Sequence, residues 1–483
     1  MTTPLDRRRA GVLLHPTSLP GDGPNGVLGE HARRFVDFLA DAGFSLWQTL
    51  PLVPTDDSLS PYQMRSAHAG NPELIDTADL LAHGWLAAEH AVADTDTRMV
   101  NAYRGFHEKA AAGERAAFDN FVQENRGWLL PYALFEHYRR EFERKPWWEW
   151  PEAIRRRDPA TLTAALAQAR HQLRRIAFEQ YLFDRQWQHL RDYANSRGIC
   201  VFGDMPFYVD LNSVEVWWQR KFFRVDGQGR PEAVAGVPPD YFNADGQLWG
   251  NPLYDWNAMR ADGFRWWADR LRGQLRRFDL VRIDHFRALE AYWEVPVAAT
   301  SARDGRWQSA PGGELLTALE RELGELPLVA EDLGTITPAV RALREEFNLP
   351  GMLVLQFAFD GSPHNPYLPA NHVANAVVYS GTHDNDTTLG WYQSLDAGTR
   401  ARVDACLAST PGDMPGALIR AAYASPAQLA VLPMQDLLGL GSEARMNFPG
   451  TTSGNWRWRF GWEQLDAQLA ERCHRLAVMA GRV

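Results

Sequence analysis

The chain reads as an α/β protein built on a closed (β/α)8 TIM barrel, with a large, mostly helical insertion after the second strand and further loop subdomains. Three observations predict this. Eight short apolar runs are separated mostly by helical patterns, as that barrel requires. Acidic residues and histidines cluster where several of these runs end, the face on which barrel enzymes collect their chemistry. No G-x-G-x-x-G follows an early strand and no P-loop is present, which counts against the alternative, an open doubly wound sheet.

The first strand is expected in Ala10–Pro16, before a loop rich in Gly and Pro. Phe35, Phe38, Leu39 and Ala42 then recur at helical spacing, with Gly43 as a stop. Leu46–Leu52 is the second strand, completing a βαβ unit. From about Pro54 to Gly198 no comparable strand appears. That stretch reads as helices, including Ala116–Asn125, Tyr132–Phe142 and a long one opened by Asp158-Pro159. Leu162, Leu166, Ala169, Leu173, Ile176 and Ala177 form its apolar stripe, and its length implies a break. The third strand lies in Ile199–Val209 and ends near Asp204. The fourth begins at Leu280, the fifth spans Pro327–Leu333, the sixth Met352–Phe357, the seventh Ala376–Asp384 and the eighth Leu429–Asp436. Thr337-Pro338 caps a helix between the fifth and sixth. The expected layout is barrel start at 10–53, helical insertion at 54–198, and the remaining barrel at 199–483 with loop insertions near 210–260.

Composition removes several functions. A net charge of −10 disfavours nucleic acid or an anionic membrane surface as partner. Three widely separated cysteines give neither a disulfide framework nor a zinc spacing. No stretch approaches the roughly 20 apolar residues of a membrane helix, and the apolar run before His15 is too short for a signal peptide. The expectation is a soluble, cytoplasmic protein. Nineteen tryptophans, most of them expected in the core, also suit stacking on sugar rings.

The chemistry concentrates at strand ends. In Leu280–Arg287, Arg282 and Asp284 are two apart and share a face. A carboxylate beside a guanidinium stays ionised, as a nucleophile must; a structural ion pair is the plain alternative. The fifth strand delivers Glu331 and Asp332, with Glu331 in apolar surroundings able to raise its pKa and Asp332 pointing to the opposite side. The seventh delivers His383 and Asp384. Paired carboxylates can hydrolyse or transfer a glycosyl group. A metal site from Asp284, His285, His383 and Asp384 is a weaker rival, because adjacent strand residues diverge.

A set of motifs then adds a resemblance. Ser18-Leu19-Pro20-Gly21, Ser60-Pro61-Tyr62-Gln63, Gly70-Asn71-Pro72, Gly203-Asp204-Met205-Pro206, Gln247-Leu248-Trp249-Gly250-Asn251-Pro252, Arg282-Ile283-Asp284-His285, Ala330-Glu331-Asp332, Thr382-His383-Asp384-Asn385 and Arg445-Met446-Asn447 occur in order. With them the chain resembles the 4-α-glucanotransferase (amylomaltase, disproportionating enzyme) family of the α-amylase-like clan, from about Gly11 to the C-terminus. The resemblance implies transfer of α-1,4-glucan segments from a maltooligosaccharide donor to glucose or another maltooligosaccharide, by a retaining mechanism. Asp284 would be the nucleophile, Glu331 the acid/base and Asp384 the transition-state stabiliser. Arg282 would orient Asp284, His285 and His383 would bond sugar hydroxyls, Tyr62 would lie beside the transferred sugar, and Asp240, Trp249, Asn251 and His364 would line the cleft. No organic cofactor is implied, no metal ligand set is evident, and protein partners are left open. Members often carry a Tyr shortly before Ser-Pro-Tyr; this chain has Asp57 there, which speaks against a glucan platform at that point. The rivals are an amylase-type α-1,4-glucan hydrolase and a sugar-binding barrel without turnover.

Overall fold

Twelve strands form two sheets in a computed structural model that describes residues 4–239, 245–410, 412–451 and 453–483. In chain order they are β1 (Arg9–Leu13), β2 (Leu46–Gln48), β3 (Cys200–Met205), β4 (Ala233–Val237), β5 (Gln247–Pro252), β6 (Leu280–Ile283), β7 (Ala291–Pro296), β8 (Arg306–Ser309), β9 (Leu328–Ala330), β10 (Gly351–Val354), β11 (Ala376–Tyr379) and β12 (Leu429–Pro433). Eight are parallel in the order β10-β11-β12-β1-β2-β3-β6-β9. The Ala330 N–H donates to Pro350 O at 2.8 Å, which draws β9 and β10 together and brings the cylinder near closure. This is the (β/α)8 barrel, with strands shorter than the apolar runs suggested.

Strand periodicity sorts the side chains. Leu13, Leu46, Phe202, Leu280, Val329, Met352, Val377 and Leu429 pack in one cluster, the barrel interior. Their neighbours Val12, Trp47, Val201, Val281, Leu328, Leu353, Val378 and Ala430 join the larger cluster under the helices. Two residues farther along the interior face the chemistry changes: Phe202 is followed by Asp204, Leu280 by Arg282 and Asp284, and Val329 by Glu331. The barrel is greasy at one end and charged at the other.

The connection between β2 and β3 is helical, as read from the sequence, but its long helix is broken. Pro159–Gln168 ends at Ala169, and Arg170–Ser196 continues as a separate helix of 27 residues. Leu166 is 40% exposed, so it does not belong to the apolar stripe; Ala169, Leu173, Ile176 and Ala177 are buried. The helix Arg170–Ser196 serves two bodies at once. Phe178 packs with Trp85, Tyr103 and Phe106 of the insertion, while Trp187 meets Phe278 beside the barrel.

The second sheet is absent from the sequence reading. β5-β4-β7-β8 are antiparallel, so the loop insertion expected near 210–260 extends through Ser309 and pairs segments from both sides of β6. Trp249 and Asn251 reach the site on β5 of this sheet.

Candidate active site

Asp284 and Glu331 leave neighbouring strands at the same level. β6 and β9 pair in parallel with Ile283 opposite Ala330, so the next residue on each is the carboxylate. Adjacent strands run about 4.8 Å apart, which sets the scale of their separation. The Glu331 N–H donates to Ile283 O at 3.0 Å. Just past Asp284 the chain turns into the left-handed region at His285 (φ 51°), an uncommon conformation for a side chain other than glycine. The turn aims the His285 N–H at Glu331 Oε2, 2.7 Å away, while the Leu333 N–H donates to Oε1 at 2.8 Å.

The two carboxylates have unlike surroundings. Arg282 Nη2 is 2.9 Å from Asp284 Oδ1. Glu331 is pushed up to about 7: burial is the main cause, Arg282 pulls against it, and the charge of Asp284 adds to it. Asp332 faces away from this pair. It accepts from the Met352 N–H at 2.8 Å and lies 3.3 Å from Arg344, a contact that ties β9 to β10.

Arg282 is held from behind by Asp204 at the end of β3. Its Nη1 lies 2.8 and 2.7 Å from the two oxygens of that carboxylate, and both side chains are buried. Tyr62, on the loop after β2, donates its hydroxyl to Asp204 Oδ2 at 2.7 Å. Burial and the nearby Asp204 raise Tyr62 well above its ordinary value, so it keeps the proton it donates. The Tyr62 ring stacks on His383 (5.2 Å, 13°), with Trp456 completing the group.

Asp384 lies on the loop after β11 and is half exposed. Asn447 donates to its Oδ1 at 2.6 Å, Arg445 donates to its backbone carbonyl at 2.7 Å, and His383 Nε2 is 3.4 Å from Oδ2. On the other flank Trp249 meets His285 edge-on (4.7 Å, 75°), and Asn251 donates to Val209 O at 2.9 Å. Burial pushes His285 down to about 4, so its ring is neutral at pH 7.

Tyr62, Trp249, Arg282, Asp284, His285, Glu331, His383 and Asp384 thus lie in linked contacts. His364 does not: it is exposed on the loop after β10, and its backbone N–H donates to Ser362 Oγ. Asp240 lies outside the described residues. Among the described residues no three His, Cys, Asp or Glu side chains form a metal-holding group, so Asp284, His285, His383 and Asp384 do not make the rival metal site. Asp57 is 98% exposed, 3.6 Å from Arg144, and offers no aromatic surface.

Four contributors had no assigned role in the sequence reading. Asp204 was visible as a strand-end acid, and its register opposite Arg282 supplies the missing signal. Asn447 and Arg445 sit in a recognised motif, but their contact with Asp384 crosses some 60 residues and has no local pattern. His15, buried beside His383, is pushed down to about 3 by burial.

Among the described residues no helix is long and apolar enough to cross a membrane. Residues 14–464 match the family model described as 4-alpha-glucanotransferase. The 4-alpha-glucanotransferase of Thermus thermophilus is 46% identical, over 99% of each chain. The chloroplastic/amyloplastic 4-alpha-glucanotransferase of Arabidopsis thaliana is 41% identical over 99% of this chain and 87% of its own. An amylomaltase from Streptococcus agalactiae, solved in complex with acarbose, superposes with a TM-score of 0.95 at 35% identity, over 99% of this chain and 100% of its own. The relatives carry a transferase name, which removes the ground for the hydrolase alternative. The chain belongs to the 4-alpha-glucanotransferase family.

Proposed function

We propose that this protein cleaves an α-1,4 bond in a maltooligosaccharide, holds the glucosyl part on Asp284 and passes it to the 4-hydroxyl of glucose or another glucan. The observation that carries this is the unlike environment of two adjacent strand-end carboxylates. Asp284 is fixed by a buried guanidinium, and Glu331 is pushed up to about 7. In the first step Glu331 gives its proton to the leaving oxygen while Asp284 attacks the anomeric carbon. In the second Glu331 takes the proton of the incoming hydroxyl and the sugar leaves Asp284 with its configuration retained. Retaining enzymes place these groups about 5–5.5 Å apart, the scale of one strand spacing.

Asp384 faces the oxocarbenium charge that develops between the two. Tyr62 lies beside the transferred sugar, His285 and His383 bond its hydroxyls, and Trp249 and Asn251 border the cleft. Asp240 and His364 are assigned to the outer cleft from the family resemblance alone. A cytoplasmic location suits a chain with three unpaired thiols.

Incubation with maltotriose tests the reading. Transfer gives glucose together with a ladder of longer glucans. Glucose and maltose alone would show that water is the acceptor and would overturn it.

A further inference from the structure

Asp384 lies midway along the connection between the end of β11 at Tyr379 and the helix Thr388–Ser394. The residues at the two feet, Ser380 and Thr388, are fully buried. Both are bound to one carboxylate in a different segment. Asp436, in the one-turn helix Met434–Leu437 that follows β12 and 1% exposed, accepts from Ser380 Oγ at 2.6 Å and Thr388 Oγ1 at 2.7 Å through Oδ2. Its Oδ1 accepts the Thr388 N–H at 2.7 Å. A buried ionisable group is rare without a reason, and this one is held by two hydroxyls and a backbone N–H.

We propose that Asp436 is a positioning residue for transfer, a clasp that closes the two feet of the loop and thereby sets the height of Asp384 and His383 over the cleft. The proposal rests on the role given to Asp384 above. The loop needs such a clasp because Asp384 at its tip is half exposed, so burial does not fix that side chain. Further restraints come from the same side, where Ser442 Oγ donates to Asp386 Oδ2 at 2.7 Å and Arg445 and Asn447 hold Asp384 itself, and from the barrel, where Gln356 donates to Asp386 O at 2.9 Å and Tyr62 stacks on His383. Asp436 begins the segment that carries Ser442, Arg445 and Asn447. The clasp therefore orients the loop and its outer restraints from one anchor. It explains three hydrogen bonds converging on one buried acid, which packing alone would fill with an apolar side chain.

The test compares Asp436→Ala with Asp436→Asn, each alone and combined with Asp384→Asn. Maltotriose transfer and acarbose affinity are measured, and thermal unfolding checks the fold. An amide at 436 can accept the Thr388 N–H and donate to the two hydroxyls, so Asp436→Asn should recover most of the activity. Asp436→Ala should lower kcat about 10²-fold with KM changed less than about threefold, the size of effect a misplacement near 1 Å produces. Acarbose affinity should fall in Asp436→Ala, and no further when Asp384→Asn is already present. Where Asp436→Ala does not fold, Ser380→Ala and Thr388→Val each open one arm of the clasp and should show the same kcat loss on a smaller scale. An Asp436→Ala enzyme, or failing that both single-arm variants, with unchanged kcat overturns the proposal. So does an acarbose loss of equal size with and without Asp384→Asn. Full activity in Asp384→Asn alone is a different result, since it removes the role of Asp384 and not the clasp.

Discussion

Arg282 stands between two carboxylates, with Nη1 on Asp204 at 2.7 and 2.8 Å and Nη2 on Asp284 at 2.9 Å. One guanidinium thus anchors to the barrel wall with one edge and holds the proposed nucleophile with another. A lysine has the charge but not the fork. Arg282→Lys should lower kcat/KM for transfer by about 10²-fold, and leaving Asp204 poorly paired in the interior should cost about 2–3 kcal/mol of stability. Urea unfolding and initial transfer rates measure the two losses.

In the proposed mechanism Glu331 donates its proton in the first step, so the free enzyme should be active while that carboxyl is protonated. With its pKa pushed up to about 7, kcat/KM for maltotriose should decline above about pH 7. The same shift affects stability. Between 4.5 and about 7 the unfolded chain releases this proton while the folded one keeps it, so the folded state weakens as pH rises through that window. Glu331→Gln removes the effect. Its Tm relative to the wild type should climb from pH 4.5 to 7 and then level off; a constant difference would contradict the assignment.

Glu331→Gln also isolates the covalent step. A maltosyl fluoride donor has a leaving group that needs no proton, so Asp284 can still attack, while release to an acceptor lacks its base. The variant should accumulate a glycosyl adduct, and peptide mass spectrometry should place it on Asp284. In Asp284→Asn no adduct should form.

Tyr62 holds two contacts that separate by substitution. Tyr62→Phe keeps the ring on His383 and loses the bond to Asp204; a hydrogen bond to a charged acceptor is worth about 1.5–3 kcal/mol, so a roughly tenfold fall in kcat is expected. Tyr62→Ala loses the ring as well and should raise KM in addition. Steady-state kinetics with maltotriose distinguishes the two patterns.

The barrel was readable because its strands are buried on both faces and stand out as apolar runs. Arg282, Asp284 and Glu331 were readable because a period of two, continued from Leu280 and Val329, leaves only one direction for each. The second sheet was not. β5 and β8 are largely exposed and carry no apolar alternation (Gln247–Pro252, Arg306–Ser309), and β4 finds β7 across more than 50 residues. The helix break at Ala169 lacks proline or glycine, so packing against the insertion decides it. The hold of Asn447 on Asp384 was hidden for the same reason as the second sheet: long-range contacts leave no local period.

The left-handed turn at His285 has a wider meaning. A single peptide group joins the proposed nucleophile, Asp284, to a hydrogen bond on the proposed acid/base, Glu331. The spacing of the pair is therefore set by the backbone at the barrel rim. The helices between β2 and β3 and the four-stranded sheet can lengthen, shorten or change surface without retuning the distance on which bond exchange depends. Such an arrangement lets a lineage alter which glucans it accepts while inheriting the reaction intact.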